Sequence, residues 1–369
     1  MIYLDSAATS LLKPPSVARA TAMAMRTMAS PGRGGHSAAM RAADTVFTCR
    51  EAAAELFHVP EPERVVFTMN ATHALNIAIH SLVSPGDPVV ISGYEHNSVT
   101  RPLHTLGAQV RVAESPLFEP EAAVSAFRRA LPGAKAVVCT MVSNVFGYLL
   151  PVQEIAELCA AAGVPLIVDA SQAAGCVAFD AAALGAAFVA MPGHKGLLGP
   201  QGTGILLCFA QPKSLLCGGT GSQSVLQDMP EELPDRLEAG THNVPGIAGL
   251  LAGIRYLSAQ GVENIERREQ RLTAQLRAEP RLEVFASPDP ACQTAVLSVR
   301  CRDMDSELLA QKLARYGIAV RAGLHCAPVA HRTAGTFETG TVRLSLSPFN
   351  TDAEIARTAR VFYEILRTG

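Results

Sequence analysis

From residue 64 onward, short apolar runs alternate with amphipathic stretches. The runs fall at 64–68 (RVVFT), 88–92 (PVVIS), 109–113, 135–140 (KAVVCT), 165–169 (PLIVD), 187–191 (AFVAM) and 204–209 (GILLCF). Between them lie helical patterns such as 152–162 and 121–130, where Val124 and Phe127 share a face. Strands that are apolar throughout, separated by helices, predict a mainly parallel or mixed sheet covered on both faces. Upstream, a short strand at 2–4 leads through a Pro pair into an Ala- and Met-rich helix. A Gly-rich loop, 30–40, presents Arg33 and His36 to a ligand or simply makes a turn. The helix after it carries Met40, Ala43, Phe47, Ala54 and Phe57 as an apolar stripe.

Past 240–250 another helix begins and the chain becomes more charged to about residue 285. A second, smaller α/β unit follows, with strands at 293–300, 318–321 and 341–346 and a helix at 305–315. In its closing helix Ile355, Ala359, Phe362 and Leu366 form the packing face. The stretch between Arg321 and Thr341 lacks periodicity and reads as a long loop, which in a compact domain is usually functional. It carries His325 and Cys326.

Composition narrows the function. The 369 residues exceed one core and predict two domains. A content of 49% hydrophobic and 17% charged residues describes a buried globular chain. A net charge of −2 without a basic run argues against nucleic acid as a partner. The apolar runs stop short of a membrane span, and the first residues lack a signal-peptide pattern. Nine cysteines are scattered singly, and Cys139, Cys159 and Cys208 sit in apolar elements, as reduced thiols of a cytoplasmic protein do. No zinc-ligand spacing occurs.

Chemistry concentrates in FVAMPGHKGLLGPQGTG, residues 188–204. Lys195 follows a buried strand at a sharp turn. Two readings stand side by side: an amine held for imine formation with pyridoxal phosphate (PLP), or a lysine that caps the strand and snorkels to water. Ligands of such sheets collect at the carboxyl ends of strands. There lie Asn70-Ala71-Thr72, Glu95-His96-Asn97, Ser143-Asn144, Asp169 with Gln172, and His194-Lys195. Asp169 either caps a helix or pairs with a protonated pyridine nitrogen. The Asn70–Thr72 turn opens a helix and suits a phosphate. His96 is a stacking candidate or a structural residue.

The runs YLDSAAT, EHNSV, SNVFG, VDASQAAG, GHKGLLGPQG, EAGTHN and RAGLHCAP, in this order, resemble the cysteine desulfurase family of the class V aminotransferase superfamily. These are fold-type I PLP enzymes, on the side of the family that includes selenocysteine lyases. The resemblance runs from YLDSAAT to RLSLSPFNT, essentially the whole chain. It implies a large PLP-binding domain at 15–250 and a small domain made of 1–14 plus 251–369. It implies that Lys195 binds the cofactor, that His194 and Thr72 serve its phosphate, and that His96 stacks on its ring. Asp169 would meet the ring nitrogen, Gln172 the ring hydroxyl, and Asn144 the ring and substrate. Thr241 would reach the phosphate of a second subunit in a homodimer. Arg343, assisted by Arg321, would hold the substrate carboxylate, and Cys326 would accept sulfur from L-cysteine as a persulfide, releasing L-alanine. A sulfur-acceptor protein then becomes an expected partner. The alternatives are a lyase for L-selenocysteine, a C–S β-lyase, an aminotransferase, or a scaffold without turnover. The chain departs from the family at Pro192, where a serine is usual, and at Met69–Thr72, which replaces Arg-Gly-Thr-Thr.

Overall fold

The computed structural model describes residues 1–32, 34–276 and 281–367, so Arg33 lies outside the described residues. In chain order the strands are β1 (Ile2–Tyr3), β2 (Val65–Thr68), β3 (Pro88–Ser92), β4 (Gln109–Ala113), β5 (Ala136–Thr140), β6 (Leu166–Asp169), β7 (Phe188–Pro192), β8 (Gly204–Cys208), β9 (Leu282–Phe285), β10 (Val296–Cys301), β11 (Ile318–Ala319), β12 (Arg321–Gly323) and β13 (Thr341–Ser345). The helices are α1 (Pro15–Thr27), α2 (Ser37–Leu56), α3 (Ala71–Leu82), α4 (Asn97–Thr105), α5 (Pro120–Ala130), α6 (Val152–Ala162), α7 (Val244–Gln260), α8 (Val262–Ala274), α9 (Ser306–Arg315), α10 (Pro328–Thr333) and α11 (Asp352–Arg367).

Seven strands form one sheet in the order β2-β8-β7-β6-β5-β3-β4. Every neighbouring pair is parallel except those made by β8, so the sheet is mixed, as its apolar runs predict. The register sets Thr140, Asp169 and Ala190 side by side, which brings the ends of β5, β6 and β7 level. Buried clusters cover both faces. A second sheet, β12-β13-β10-β9, is antiparallel, and β1 pairs with β11 beside it. Its core joins Ile2 and Leu4 to Leu297, Leu344 and Phe362, so the first residues fold with the last.

Three local expectations change. Met40 and Phe47 are 50% and 47% exposed, while Ala54 and Phe57 of the expected stripe are buried, together with Ala39, Ala42, Val46, Cys49 and Ala53. Small side chains let α2 lie against α1-flanked α7, and close packing of backbones outweighs the bulk of the longer residues. The stretch 321–341 is not structureless: it holds β12 and α10, elements too short for a periodic signal. Strand β9, in the charged region, was absent from the pattern because three of its four residues are only half-buried.

A buried ion pair anchors the segment after β8. The Arg50 guanidinium on α2 donates to both carboxylate oxygens of Glu238 and to the Val65 carbonyl. Glu238 also accepts from the Phe67 N–H at 2.6 Å, and Arg50 lies 4.5 Å from the Phe67 ring centre. Removing one partner leaves the other charge buried and unpaired. Glu238→Ala is expected to destabilise the fold by about 3–5 kcal/mol, read as a lower denaturant midpoint. Arg50→Met combined with Glu238→Leu should recover much of that loss. Equal stability of wild type and Glu238→Ala would show that the pair contributes nothing.

Candidate active site

Lys195 sits in the turn after β7. Gly175 has φ +81°, and a Cβ on it would lie 2.4 Å from the Gly196 carbonyl oxygen. A Cβ on Gly196 would lie 2.3 Å from the Ala174 oxygen. Only glycines allow this backbone-to-backbone approach, which presses the turn after β6 onto the turn that carries Lys195. Thr72, His96, Asn144, Asp169, Gln172, His194 and Lys195 thereby line one cavity, together with Ser98, Ser171 and Pro192. Lys195 is half-buried, with its open part in that cavity wall. Burial lowers its pKa to about 8, against the upward pull of Asp169, and the Arg343 and Arg321 charges lower it further. Such an amine is a far better nucleophile near neutrality than a surface lysine.

Asp169 ends β6 fully buried, and its Oδ1 accepts from the Ser171 N–H at 2.9 Å. Burial raises its pKa, while Ser171 and Lys195 pull it down. Among the described residues no ion pair joins it to Lys195. His96 is the N-cap of α4: its Nδ1 accepts from the Ser98 N–H at 3.0 Å. The proton of the neutral ring therefore resides on Nε2. Burial, with Lys195 next, lowers its pKa to about 4, so the ring is uncharged at neutral pH. Thr72 and Ser98 share a hydroxyl hydrogen bond of 2.7 Å at the start of α3, whose cap is Asn70.

The segment 5–10 is bonded to two residues of the cavity wall, His194 and Gln172. The His194 carbonyl accepts from Ser10 N and Oγ, both at 3.0 Å, and from Thr9 Oγ1. Burial and the neighbouring Lys195 hold the His194 pKa down at about 4. Gln172 donates its side-chain amide to the Ala7 carbonyl at 3.0 Å.

Arg343, Arg321 and Cys326 are not in the cavity wall but stand beside it. Arg343 on β13 faces Arg321 on β12 in register. It is 2% exposed, donating Nη2 to Asp5 Oδ1 at 2.8 Å and Nη1 to the Asn144 carbonyl at 3.0 Å. Its Nε has no partner among the described residues. Cys326 is exposed, and both it and His325 adopt left-handed backbone, φ +55° and +49°. The Cys326 carbonyl accepts from the Asn97 N–H at 2.8 Å, and Asn144 Nδ2 donates to the His325 carbonyl at 2.9 Å. The thiol thus sits on a tethered turn. Thr241 lies elsewhere, lining a separate groove with His73, Thr203 and His242.

The model of the class-V aminotransferases matches residues 2–358. The chain belongs to that family. It falls in its cysteine desulfurase group, among the fold-type I PLP enzymes. It is 34% identical over its whole length to a probable cysteine desulfurase of Methanothermobacter thermautotrophicus, covering 95% of that protein. The solved apo cysteine desulfurase of Thermococcus onnurineus NA1 superposes with a TM-score of 0.90 at 30% identity, covering 100% of this chain and 95% of that one. The cysteine desulfurase CsdA of Escherichia coli, solved as an S-sulfonic acid, gives 0.87 at 27% identity over 99% and 94%. Membership supports desulfurase-like, PLP-dependent enzymatic chemistry in general, and no helix among the described residues is long and apolar enough to cross a membrane.

Two residues of this class-V site escaped sequence reasoning in their roles. Asp5, within YLDSAAT, is the Arg343 partner. Glu95, within EHNSV, is buried beneath the strand ends, where Oε1 accepts from Ser92 Oγ at 2.5 Å and Thr140 N at 2.7 Å. Only the motifs marked them, because their partners are distant in sequence.

The Lys195 environment has a pH signature. The folded pKa of about 8 lies below the ordinary 10.5, so the unfolded chain binds the extra proton between those values. Fold stability attributable to this group therefore rises as pH increases through that window. In cofactor-free protein, amine-selective labelling of Lys195 followed by peptide mass should be half-maximal near pH 8. A midpoint near 10.5, the ordinary value, would contradict the buried placement.

Proposed function

We propose that the chain is a PLP-dependent L-cysteine desulfurase that releases L-alanine and passes the sulfur to Cys326. The observation that carries this reading is an exposed thiol on a turn hydrogen-bonded to Asn97 and Asn144, directly beside the cavity that contains Lys195. The donor set fits PLP: a half-buried amine and a buried carboxylate line one cavity with no ion pair between them among the described residues, between an uncharged imidazole and a helix N-terminus. Lys195 would hold the aldehyde carbon, Asp169 the pyridine nitrogen, His96 the ring and Gln172 the ring hydroxyl. Thr72, His194 and the start of α3 would hold the phosphate, with Ser171 in the cavity wall offering a hydroxyl near Pro192. When bound, PLP supplies an electron-withdrawing ring that acidifies the Cα–H of an amino acid.

The remaining steps belong to the protein. Arg343 and Arg321 supply positive charge for the substrate carboxylate, and Asn144 orients that end of the site. Lys195 Nζ takes the proton from Cα. The Cys326 thiolate attacks the substrate sulfur, an S–S bond forms, and the C–S bond breaks with its electron pair moving to carbon. That carbon takes up one proton, matching the one lost from the Cys326 thiol, and Lys195 Nζ returns its proton to Cα, so L-cysteine plus Cys326–SH gives L-alanine plus Cys326–S–SH. Discharge of the persulfide calls for a thiol or an acceptor protein. Because Thr241 lies away from its own chain's cavity, we assign it to the phosphate site of a second copy in a homodimer.

Sulfur-labelled L-cysteine, given without reductant, should leave one labelled sulfur on Cys326 for each alanine formed. Cys326→Ser should keep the cofactor's visible absorbance yet lose alanine formation by roughly two or more orders of magnitude. Wild-type turnover by the serine variant would favour the β-lyase or selenocysteine lyase reading. On sedimentation the active protein should run as a dimer; a fully active monomer would refute the role given to Thr241.

A further inference from the structure

Behind the Cys326 turn, two imidazoles approach each other in a buried part of the molecule. His325 is 7% exposed and His331, on α10, is fully buried. Their ring centres are 5.7 Å apart with planes inclined by 33°. The Nε2 of His325 lies 3.2 Å from the Thr341 carbonyl oxygen. A carbonyl only accepts, so this nitrogen carries the proton and Nδ1 presents a bare lone pair. That Nδ1 is buried and unpartnered. His331 has the complementary vacancy: its Nδ1 lies 2.7 Å from the Thr336 hydroxyl, while its Nε2 is buried without a partner. The Thr336 hydroxyl has the His331 carbonyl at 3.5 Å as a second, longer acceptor; with its proton on the shorter contact to Nδ1, the His331 proton resides on Nε2. One ring then offers an N–H and the other a lone pair, with no other partner for either. Burial holds both rings uncharged, so no charge repulsion opposes the contact.

The turn between them has a reason to need such a link. His325 and Cys326 both hold a left-handed backbone, which a residue with a Cβ adopts only when its surroundings enforce it. The strain falls on the residue that presents the thiol. Asn97 and Asn144 grip the two carbonyls from the large-sheet side, and Thr341 grips the His325 ring from β13. His331, packed against Phe146 at 5.8 Å, reaches the same ring from a third direction.

We propose that His331 is a positioning residue for the nucleophile: its Nε2–H links to His325 Nδ1 through one bridging water, and holds Cys326 in its strained pose beside the Lys195 cavity. This rests on the desulfurase reading for its kinetic consequence, though not for the hydrogen bond itself. Substrate and cofactor sites are untouched, so the effect falls on sulfur transfer alone.

The test uses the cofactor-loaded enzyme and L-cysteine. His331→Leu is expected to lower the rate of the first Cys326 persulfide by about ten- to a hundred-fold. The KM for cysteine and the cofactor absorbance should stay as in wild type. His331→Gln, whose amide can still donate, should restore most of the rate. A folded His331→Leu enzyme with the wild-type persulfide rate overturns the proposal, as does a fall shared equally by the Gln variant. Tautomers read by NMR on isotope-labelled histidine in the wild-type protein give a second measurement. The expected result is a proton on Nε2 of both rings, and a proton on Nδ1 of His331 would refute the bond. Should wild type form no persulfide at all, the functional reading fails, and the tautomer measurement still decides the bond.

Discussion

Burying the Arg343 guanidinium costs several kcal/mol of lost hydration unless fixed acceptors offset it. The two acceptors it finds come from distant parts of the chain, Asp5 near the start and the Asn144 carbonyl after β5. Meeting that demand draws three parts of the molecule to one place. Asp5 bridges to Ser345, and Ala7 donates its N–H to Ser345 Oγ at 2.8 Å, fastening the first residues to β13. From there the same segment reaches Gln172 and the His194 carbonyl, so it lies as a wedge between the small sheet and the Lys195 turn. Asn144, already fixed by Arg343, spends its side chain on the His325 carbonyl. The Lys195 cavity, the cation beside it and the thiol turn are therefore one connected network. Arg321 directly across from Arg343 would be unfavourable as an isolated pair of like charges. Asp5 is what makes that pairing tolerable.

A second arrangement governs the floor of the cavity. Glu95 and Asp169 are both buried carboxyls, near enough that the Asp169 charge raises the Glu95 pKa. Their surroundings separate them. Glu95 is pushed up to about 8 by burial, and its Oε2 has no partner. Asp169 is also raised by burial but receives Ser171 hydrogen bonds and the Lys195 charge. Glu95 is thus largely protonated near neutral pH, while the hydrogen bonds and the amine around Asp169 favour its charged form against the effect of burial.

Much of this was legible in the chain. The apolar runs located the seven-strand sheet because strands buried on both faces need no alternation, and the polar residues that stop them lie at the ligand-binding end. Lys195, Asp169, His96 and Asn144 are readable for that reason: each is adjacent in sequence to the strand that positions it. What was missed depends on partners far along the chain. Asp5 and Arg343 are 338 residues apart and Arg50 and Glu238 are 188 apart. No local pattern marks either pair. Met40 and Phe47 misled because hydrophobicity was weighed without knowing that alanines would face α7. Helix α10 is too short for periodicity, and its buried His331 gains meaning only from the ring opposite.

The parallel pairing of β1 with β11 and the bridge from Asp5 to Ser345 also bear on the order in which the protein becomes competent. Contacts between the two ends of a chain form late, because the loop they close is the longest available. During synthesis the large sheet, with Lys195 and Asp169, can assemble while β13 is still inside the ribosome. A nascent chain at that stage has the Lys195 cavity but neither the buried guanidinium nor the tethered thiol. The contacts that hold Arg343 and the Cys326 turn in place are completed only when the last strand joins the sheet.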